Sequence, residues 1–442
     1  MSKSLISLIL IFQLLLQIKT SEQKNIKKTL VLLDDWHNLD THSLFWSQIK
    51  KMNFELDFRM IDDPSIKLTD FGEYIYTNII YFSPTFSKLK RNEISIQNLL
   101  KFIDEGHDIL IFANKDSGSF IRTFVNEFGV DFDDYDSQVK DSLYLHTFKN
   151  ELNEDLINLN NDEIVITNNT INVNVITKKP KGQILFEGIG MDLDPQNKYI
   201  FPILKANDNS YSINVKTGEV YSNGERIKLV SGYQTRNNQR IVISGSLNLC
   251  SDQFYYLSNQ NEKNKIENSP NYEFCQDILN WNFQRTGVLK FDNIRHNRKD
   301  DKVTLSTYRI KDELEYFIDI YEYDYINNNW KPYITNDLQL EYVMMNPYYI
   351  NQLKQLDKNK PTYYVQFKAP EKFGVFKFII DYYRTGYSYI ISETKVPLRP
   401  FNHNEFPRFL TCAYPYYTSV FVMVFSWILF SFLFLYGKKK VE

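Results

Sequence analysis

Apolar residues are spaced in three ways along the chain, and each spacing predicts a different kind of structure. Over the first third, short apolar runs alternate with segments whose apolar residues recur every three or four positions. Thr29 to Leu33, Phe54 to Met60, Asn78 to Phe82 and Asp108 to Ala113 have the length and content of strands, while Thr41 to Met52 and Ser119 to Phe128 read as helices. Thr41 is the expected N-cap of the first helix. The clearest helix carries Ile96, Leu99, Leu100 and Ile103 at helical spacing, and Gly106 stands where a C′ glycine belongs. Strands alternating with helices predict a doubly wound parallel sheet, an α/β domain over residues 22–135.

The pattern loosens over residues 136–286. Strands are expected at Ile164 to Thr167, Gly182 to Phe186, Ser210 to Val215 and Arg240 to Ser244, and a helix at Tyr272 to Phe283 with Phe274, Ile278 and Trp281 on one face. This stretch either completes the first sheet or forms a small mixed α/β or β domain. Past Gly287 the period becomes two: Leu338, Leu340, Tyr342 and Met344 alternate with Gln339, Glu341 and Val343, and Phe376, Phe378, Ile380 and Tyr382 with Lys377, Ile379 and Asp381. With a turn at Arg384-Thr385-Gly386, this predicts an antiparallel β-sandwich over residues 287–400, followed by a stalk over 401–415.

The third spacing is no spacing at all. Residues 416–436 carry no charge, and at about 1.5 Å per helical residue they cover roughly 31 Å, one hydrocarbon core. Lys438, Lys439 and Lys440 follow directly, whereas Arg408 is the basic residue upstream. Lysines prefer the cytoplasmic side, so the tail over 437–442 is expected to be cytoplasmic. Tyr414, Tyr416, Tyr417 and Tyr436 bracket the span as rings do at headgroup level. At the other end, Lys3 precedes about fourteen mostly apolar residues, too few to span comfortably and right for a signal-peptide core over residues 1–21. The chain is therefore expected to be a single-pass type I membrane protein with its bulk luminal. Lys439 and Lys440, followed by two residues, match the dilysine address that returns membrane proteins to the endoplasmic reticulum.

Net charge is −3 with both signs dispersed, which gives no basic stripe for nucleic acid. Aromatic residues make up 16% of the chain, with 31 Tyr and 33 Phe, favouring β-rich domains over a disordered stalk. Three cysteines cannot form a disulfide framework. Cys250 and Cys275 either pair or stay free, and Cys412 lies beside the membrane. Asn168-Asn169-Thr170 is a sequon, which makes Asn168 a candidate glycan acceptor in a surface loop.

Doubly wound sheets bind ligands at the carboxyl ends of their strands. Those ends offer Asp34-Asp35-Trp36-His37, Ser83 and Asn114-Lys115-Asp116-Ser117. Two carboxylates beside a histidine are a possible metal set, but helix capping and loop solvation use the same residues. The turn after the first strand has no glycine to cradle a phosphate, and Ala113 to Gly118 is not a nucleophile elbow. Asp131-Phe132-Asp133 and Asp192-Leu193-Asp194 have the Asp-x-Asp spacing of metal-dependent glycosyltransferases, although with 54 acidic residues such triplets arise by chance. Pro195, directly after Asp194, suggests a turn there. The six histidines, His37, His42, His107, His146, His296 and His403, show no metal-ligand spacing. No catalytic, cofactor-binding or metal-ligating residue is assigned, and no cofactor is expected.

Long, irregular strings in consistent order resemble the oligosaccharyltransferase 48 kDa subunit family: TLVLLDDWHNLDTHSLFW, DDPSIKLTDFGEYIYTNIIYFSP, GIGMDLDP, QTRNNQRIVISGSLNLCSDQF, GVFKFIIDYYRTGYSY and RPFNHNEFPRFLTCAYPYYTSVF. The resemblance implies a non-catalytic subunit of the endoplasmic reticulum complex that moves an oligosaccharide from dolichyl diphosphate to Asn of Asn-x-Ser/Thr. It further implies partners: a separate multispanning catalytic subunit, and ribophorin II type and defender-against-cell-death type subunits. The dolichol-linked glycan is a further candidate ligand. The alternative function is a glycosyltransferase or glycan-processing enzyme in its own right.

Overall fold

The computed structural model describes residues 27–86, 93–141, 164–180, 182–258, 269–299, 301, 303–357, 360–406 and 408–437. The signal peptide expected over residues 1–21 lies outside them.

The first third folds as its spacing predicts. Strands β1 (Lys27–Leu33), β2 (Phe54–Met60), β3 (Asn78–Phe82) and β4 (Asp108–Phe112) alternate with helices α1 (Ser43–Lys51), α2 (Ile96–Asp104) and α3 (Ser119–Asn126). Alternate residues of each strand enter opposite cores. Val31, Leu33, Ile80 and Phe82 pack with Phe45 and Trp46 of α1, whereas Leu30, Leu32, Ile79 and Tyr81 pack with Phe102 of α2 and Phe124 of α3. That is what a strand buried on both faces requires. Helix α2 starts at Ser95, whose side chain accepts from Asn98 N at 3.2 Å, and is followed by Gly106 at φ +109°.

Residues 136–286 complete this sheet while adding small pieces of their own. After β5 (Val130–Phe132) come β6 (Met191–Leu193), β7 (Ile200–Lys205), β8 (Lys228–Gln234) and β9 (Arg240–Ser244), and the sheet runs β2-β1-β3-β4-β9-β8-β6-β5 with β7 also on β8. Strand β9 joins β4 in parallel, so five neighbours are parallel; from β8 onward the pairing is antiparallel. The expected parallel sheet is therefore a mixed one. Beyond the sheet, Val165–Thr167 pairs with Ile184–Phe186, and Tyr211–Asn214 sits between two further strands. Helix α4 (Pro270–Asn282) lies on the α1 face, burying Phe274, Ile278 and Trp281. Cys250 and Cys275 form a disulfide with Cα atoms 6.1 Å apart, tying the loop after β9 to α4, and Cys412 is free and exposed.

From Leu289 onward two five-stranded sheets face each other. Glu313–Asp324 is the centre of one, between Leu289–Arg298 and Thr362–Lys368, and Gly374–Tyr382 is the centre of the other, between Gln339–Val343 and Ile390–Arg399. The alternating residues Leu340, Tyr342, Phe376, Phe378 and Ile380 fill the space between them. Helix α5 (Tyr414–Tyr436) follows, buries none of its residues, and belongs to a segment of mean hydropathy 2.2 that is long and apolar enough to cross a membrane.

One buried cation joins the two bodies. Arg240, the first residue of β9, is 0% exposed, and its guanidinium donates to the carbonyls of Trp281 (2.7 Å), Thr286 (2.6 Å) and Gly287 (3.0 Å). Its charge also lies over the Trp281 ring, 5.0 Å from the centroid. Trp281 in turn donates Nε1–H to Gly386 O at 2.9 Å, in the sandwich turn that contains Arg384-Thr385-Gly386. Gly287 and Gly386 approach so closely that a Cβ on Gly287 would meet Gly386 O at 2.3 Å, and both adopt positive φ. Asp108 accepts from the Arg240 N–H at 2.8 Å and from Gln284; burial pushes its carboxyl up to about 7, and burial pushes the Arg240 guanidinium down to about 10.

Arg240→Met should destabilise the protein by about 3–5 kcal/mol, because three carbonyls and Asp108 lose their cationic partner inside the fold. Urea denaturation in detergent measures this. The variant should also gain protease cleavage between residues 284 and 290, where the lost bonds held the chain between the bodies.

Candidate functional site

The carboxyl ends of β1, β3 and β4 are the natural ligand edge, and the sequence places polar residues at all three. In the fold Asp34, Asp35, Ser83, Asn114 and Ser117 are taken up by local bonds, whereas Asp116 is exposed. Asp34 accepts from the Ser83 hydroxyl and from both Thr85 N (2.9 Å) and Thr85 Oγ1 (2.8 Å), so its carboxylate closes the turn after β3. Asp35 accepts from His37 N at 3.1 Å. Ser117 Oγ accepts from Asn114 N at 2.8 Å and donates to Asn114 O, closing the turn after β4 on itself. Trp36 and His37 remain exposed.

The next histidine along the chain is committed. His42 is buried, stacks edge-on against Phe82, and has Nε2 3.1 Å from Leu247 O and Nδ1 2.8 Å from Thr41 Oγ1. Burial lowers its pKa and so favours the neutral ring, whose Nδ1 also lies 3.2 Å from Asn38 O. His107 stacks on Phe102 and His296 on Phe378. Thr41 does not cap α1. Its N–H groups at Ser43 and Leu44 are taken by the Asp252 carboxylate, each at 2.9 Å, from more than two hundred residues away. No local signal marks Asp252 for that role.

The two Asp-x-Asp triplets are neighbours. They lie on the antiparallel pair β5 and β6, with Asp131 directly opposite Asp192, both exposed. Asp133 is instead drawn inward to accept from the Ser212 hydroxyl, and burial, then the Asp192 charge, raises its pKa. Asp194 accepts from Gln196 N at 2.9 Å in the turn that Pro195 suggested. Among the described residues no three His, Cys, Asp or Glu side chains come together to hold a metal.

Asn168 is exposed in the loop after Val165–Thr167, where Thr170 N donates to Asn168 O at 2.8 Å and Lys205 N to Asn169 O at 3.0 Å. It borders a polar cleft of about 700 Å³ with Asn207, Asp208 and Glu225. Lys439 and Lys440 lie outside the described residues.

Two family models cover the chain: OST48, N-terminal domain, over residues 20–285, and OST48 middle domain, over residues 296–438. Relatives named dolichyl-diphosphooligosaccharide–protein glycosyltransferase 48 kDa subunit match almost end to end. Those from Arabidopsis thaliana and Danio rerio are 33% identical, and that from Drosophila melanogaster 32%; each alignment covers 93% of this chain and 92–93% of the relative. Among solved structures, a carbohydrate deacetylase reaches a TM-score of 0.26 over 50% of this chain and 29% of its own. An α-L-fucosidase from Paenibacillus thiaminolyticus reaches 0.27 over 77% and 47%. Both are 6% identical, too distant to carry an argument.

Asp192→Asn should raise stability by about 0.2–1 kcal/mol, since it relieves like charges directly across a strand pair. Calorimetric melting with and without Mn²⁺ checks the assignment as well: the melting temperature should not respond to the metal, and a metal-dependent rise lost in Asp192→Asn would establish a metal site there.

Proposed function

Because this chain belongs to the OST48 family, we propose that it is a non-catalytic subunit of the oligosaccharyltransferase complex of the endoplasmic reticulum membrane. The observation that carries the reading is the near end-to-end match to 48 kDa subunits, through both family domains and into the apolar helix. That complex moves an oligosaccharide from dolichyl diphosphate to Asn of Asn-x-Ser/Thr. In this reading the chemistry belongs to a separate multispanning subunit, and this chain stabilises the assembly and helps position the donor glycan.

The geometry supports the division of labour. At the carboxyl edge, where an enzyme of this architecture would hold its reacting groups, Asp34, Ser83, Ser117 and His42 are spent on closing turns and packing the sheet. A two-body unit joined by hydrogen bonds and anchored by one exposed apolar helix suits a scaffold. The helix packs against partners of the ribophorin II and defender-against-cell-death types, and the bodies lie in the lumen as a type I protein. Asn168 is exposed and accepts a glycan, and Lys439 and Lys440 act as a retrieval address.

The purified full chain should give no turnover with a dolichol-linked donor and an Asn-x-Thr peptide, while its depletion from cells should leave Asn-x-Ser/Thr sites underglycosylated. Turnover by the chain alone would establish the alternative, an enzyme in its own right. A reporter carrying residues 410–442 should leave the endoplasmic reticulum when Lys439 and Lys440 are both changed to Ser, as read by acquisition of complex-type glycans. Retention of the double variant would reduce the lysines to membrane anchors.

A further inference from the structure

A second cleft lies far from the carboxyl edge. It opens at the amino ends of β1 and β2, where the α/β body meets the hairpin at the end of the long sandwich strand Glu313–Asp324, and encloses about 880 Å³. Both its size and its place between two bodies are those of ligand sites. Its floor is aromatic: Phe54 and Phe283 are buried with ring centroids 4.8 Å apart. Its far wall carries Tyr323 and Tyr325, both half-buried.

The polar lining is of two kinds. Arg285 stacks over Tyr325, 4.7 Å from the centroid, and no ion pair to a carboxylate is found for it among the described residues. A half-buried guanidinium without an anion retains donors for a ligand. Asn328 accepts from the Tyr323 hydroxyl at 2.6 Å, which leaves its amide N–H groups as donors. Gln284 is the reverse: its amide nitrogen is used up on Asp108 and Asn238 O, so it presents an oxygen. Glu55 adds a carboxylate, and Lys27 an ammonium 5.9 Å from the centroid of the Phe54 ring. A phosphate or carboxylate ligand calls for donors alone, whereas here Glu55 and the Gln284 oxygen stand among the donors Lys27, Arg285 and Asn328. Donors and acceptors interleaved beside ring faces suit a molecule with many hydroxyls and with C–H faces that the negative π surface attracts.

We propose that this junction cleft binds a neutral saccharide chain, with a sugar ring against Tyr325 and its hydroxyls shared among Arg285, Asn328, Gln284 and Glu55. The site draws on both bodies, so it exists only while the Arg240 junction holds them together. The inference rests on the cleft's lining and not on membership of a complex; binding by the isolated chain and assembly with partners are separate measurements.

The test uses the full chain in a detergent without a sugar headgroup, titrated with mannotriose, maltotriose and N,N′-diacetylchitobiose and followed by saturation-transfer NMR and calorimetry. At least one saccharide should bind, and Tyr325→Ala and Arg285→Ala should each weaken it roughly tenfold or more while melting stays near that of the unaltered protein. Tyr325→Phe should bind nearly as well. Should Tyr325→Ala melt early, Asn328→Ala at an exposed position provides the same comparison. The preferred saccharide, presented on a peptide and on a lipid diphosphate, then separates a glycosylated product from a lipid-linked donor as its source. Absence of saccharide binding at millimolar concentration overturns the proposal. So does equal binding of inorganic phosphate or trialanine, or saccharide binding that ignores all the cleft variants.

Discussion

A guanidinium with no access to water governs how the two bodies of this protein are joined. Taking Arg240 out of solvent costs several kcal/mol, and the return comes from charge-assisted bonds to the carbonyls of Trp281, Thr286 and Gly287, from the face of Trp281, and from charge attraction to Asp108, which the Arg240 backbone N–H holds in place. Those carbonyls belong to the end of α4 and the connection into the sandwich. Their orientation fixes where the next domain starts. Trp281, held in that frame, reaches across to Gly386, and Gln234 and Asn238 add bonds to Tyr387 and Tyr389 of the same sandwich segment. Substitution by a hydrophobe leaves carbonyls facing one another without donors, which is why this junction depends on charge rather than on apolar area.

The same economy of polar groups shapes the α/β body. Its carboxyl edge has the topology of a ligand site, yet Asp34, Asp35, Ser83 and Ser117 are committed to closing turns, and Asp252 arrives from a distant segment to take the free N–H groups of α1. At the amino edge, against the sandwich hairpin, Arg285 instead lies over the Tyr325 ring and makes no ion pair among the described residues. The disulfide between Cys250 and Cys275 holds α4 against the loop after β9 and so supports the segment that Arg240 grips.

How much of this was legible in the sequence depends on how local each signal is. The strands and helices through residue 128, the period-two strands such as Gln339–Val343 and Gly374–Tyr382, and the turn at Gly386 follow from spacing within a few residues, and the fold has them within a residue or two of expectation. Thr41 was a reasonable N-cap by its neighbourhood and lost to Asp252, which no local rule connects with α1. The two Asp-x-Asp triplets were visible one by one; that Asp131 faces Asp192 across a strand pair depends on register. The polar cleft lining comes from residues 53–55, 284–285 and 328, and nothing in those segments alone indicates that they meet.

The sequence by itself therefore determined the apolar span, the βα alternation, the sandwich periodicity and, through long irregular strings, the family. Each of these is a property of hydropathy or order along the chain. Tertiary structure decided that β9 would enter beside β4 and carry a buried arginine to the domain junction, that the two cysteines would pair, and which polar edge would be sealed and which left open. The reason is physical: hydrophobic periodicity acts through neighbours in sequence, whereas the partners of a desolvated charge or a hydrogen-bonding side chain are set by which segments packing brings within about 3 Å.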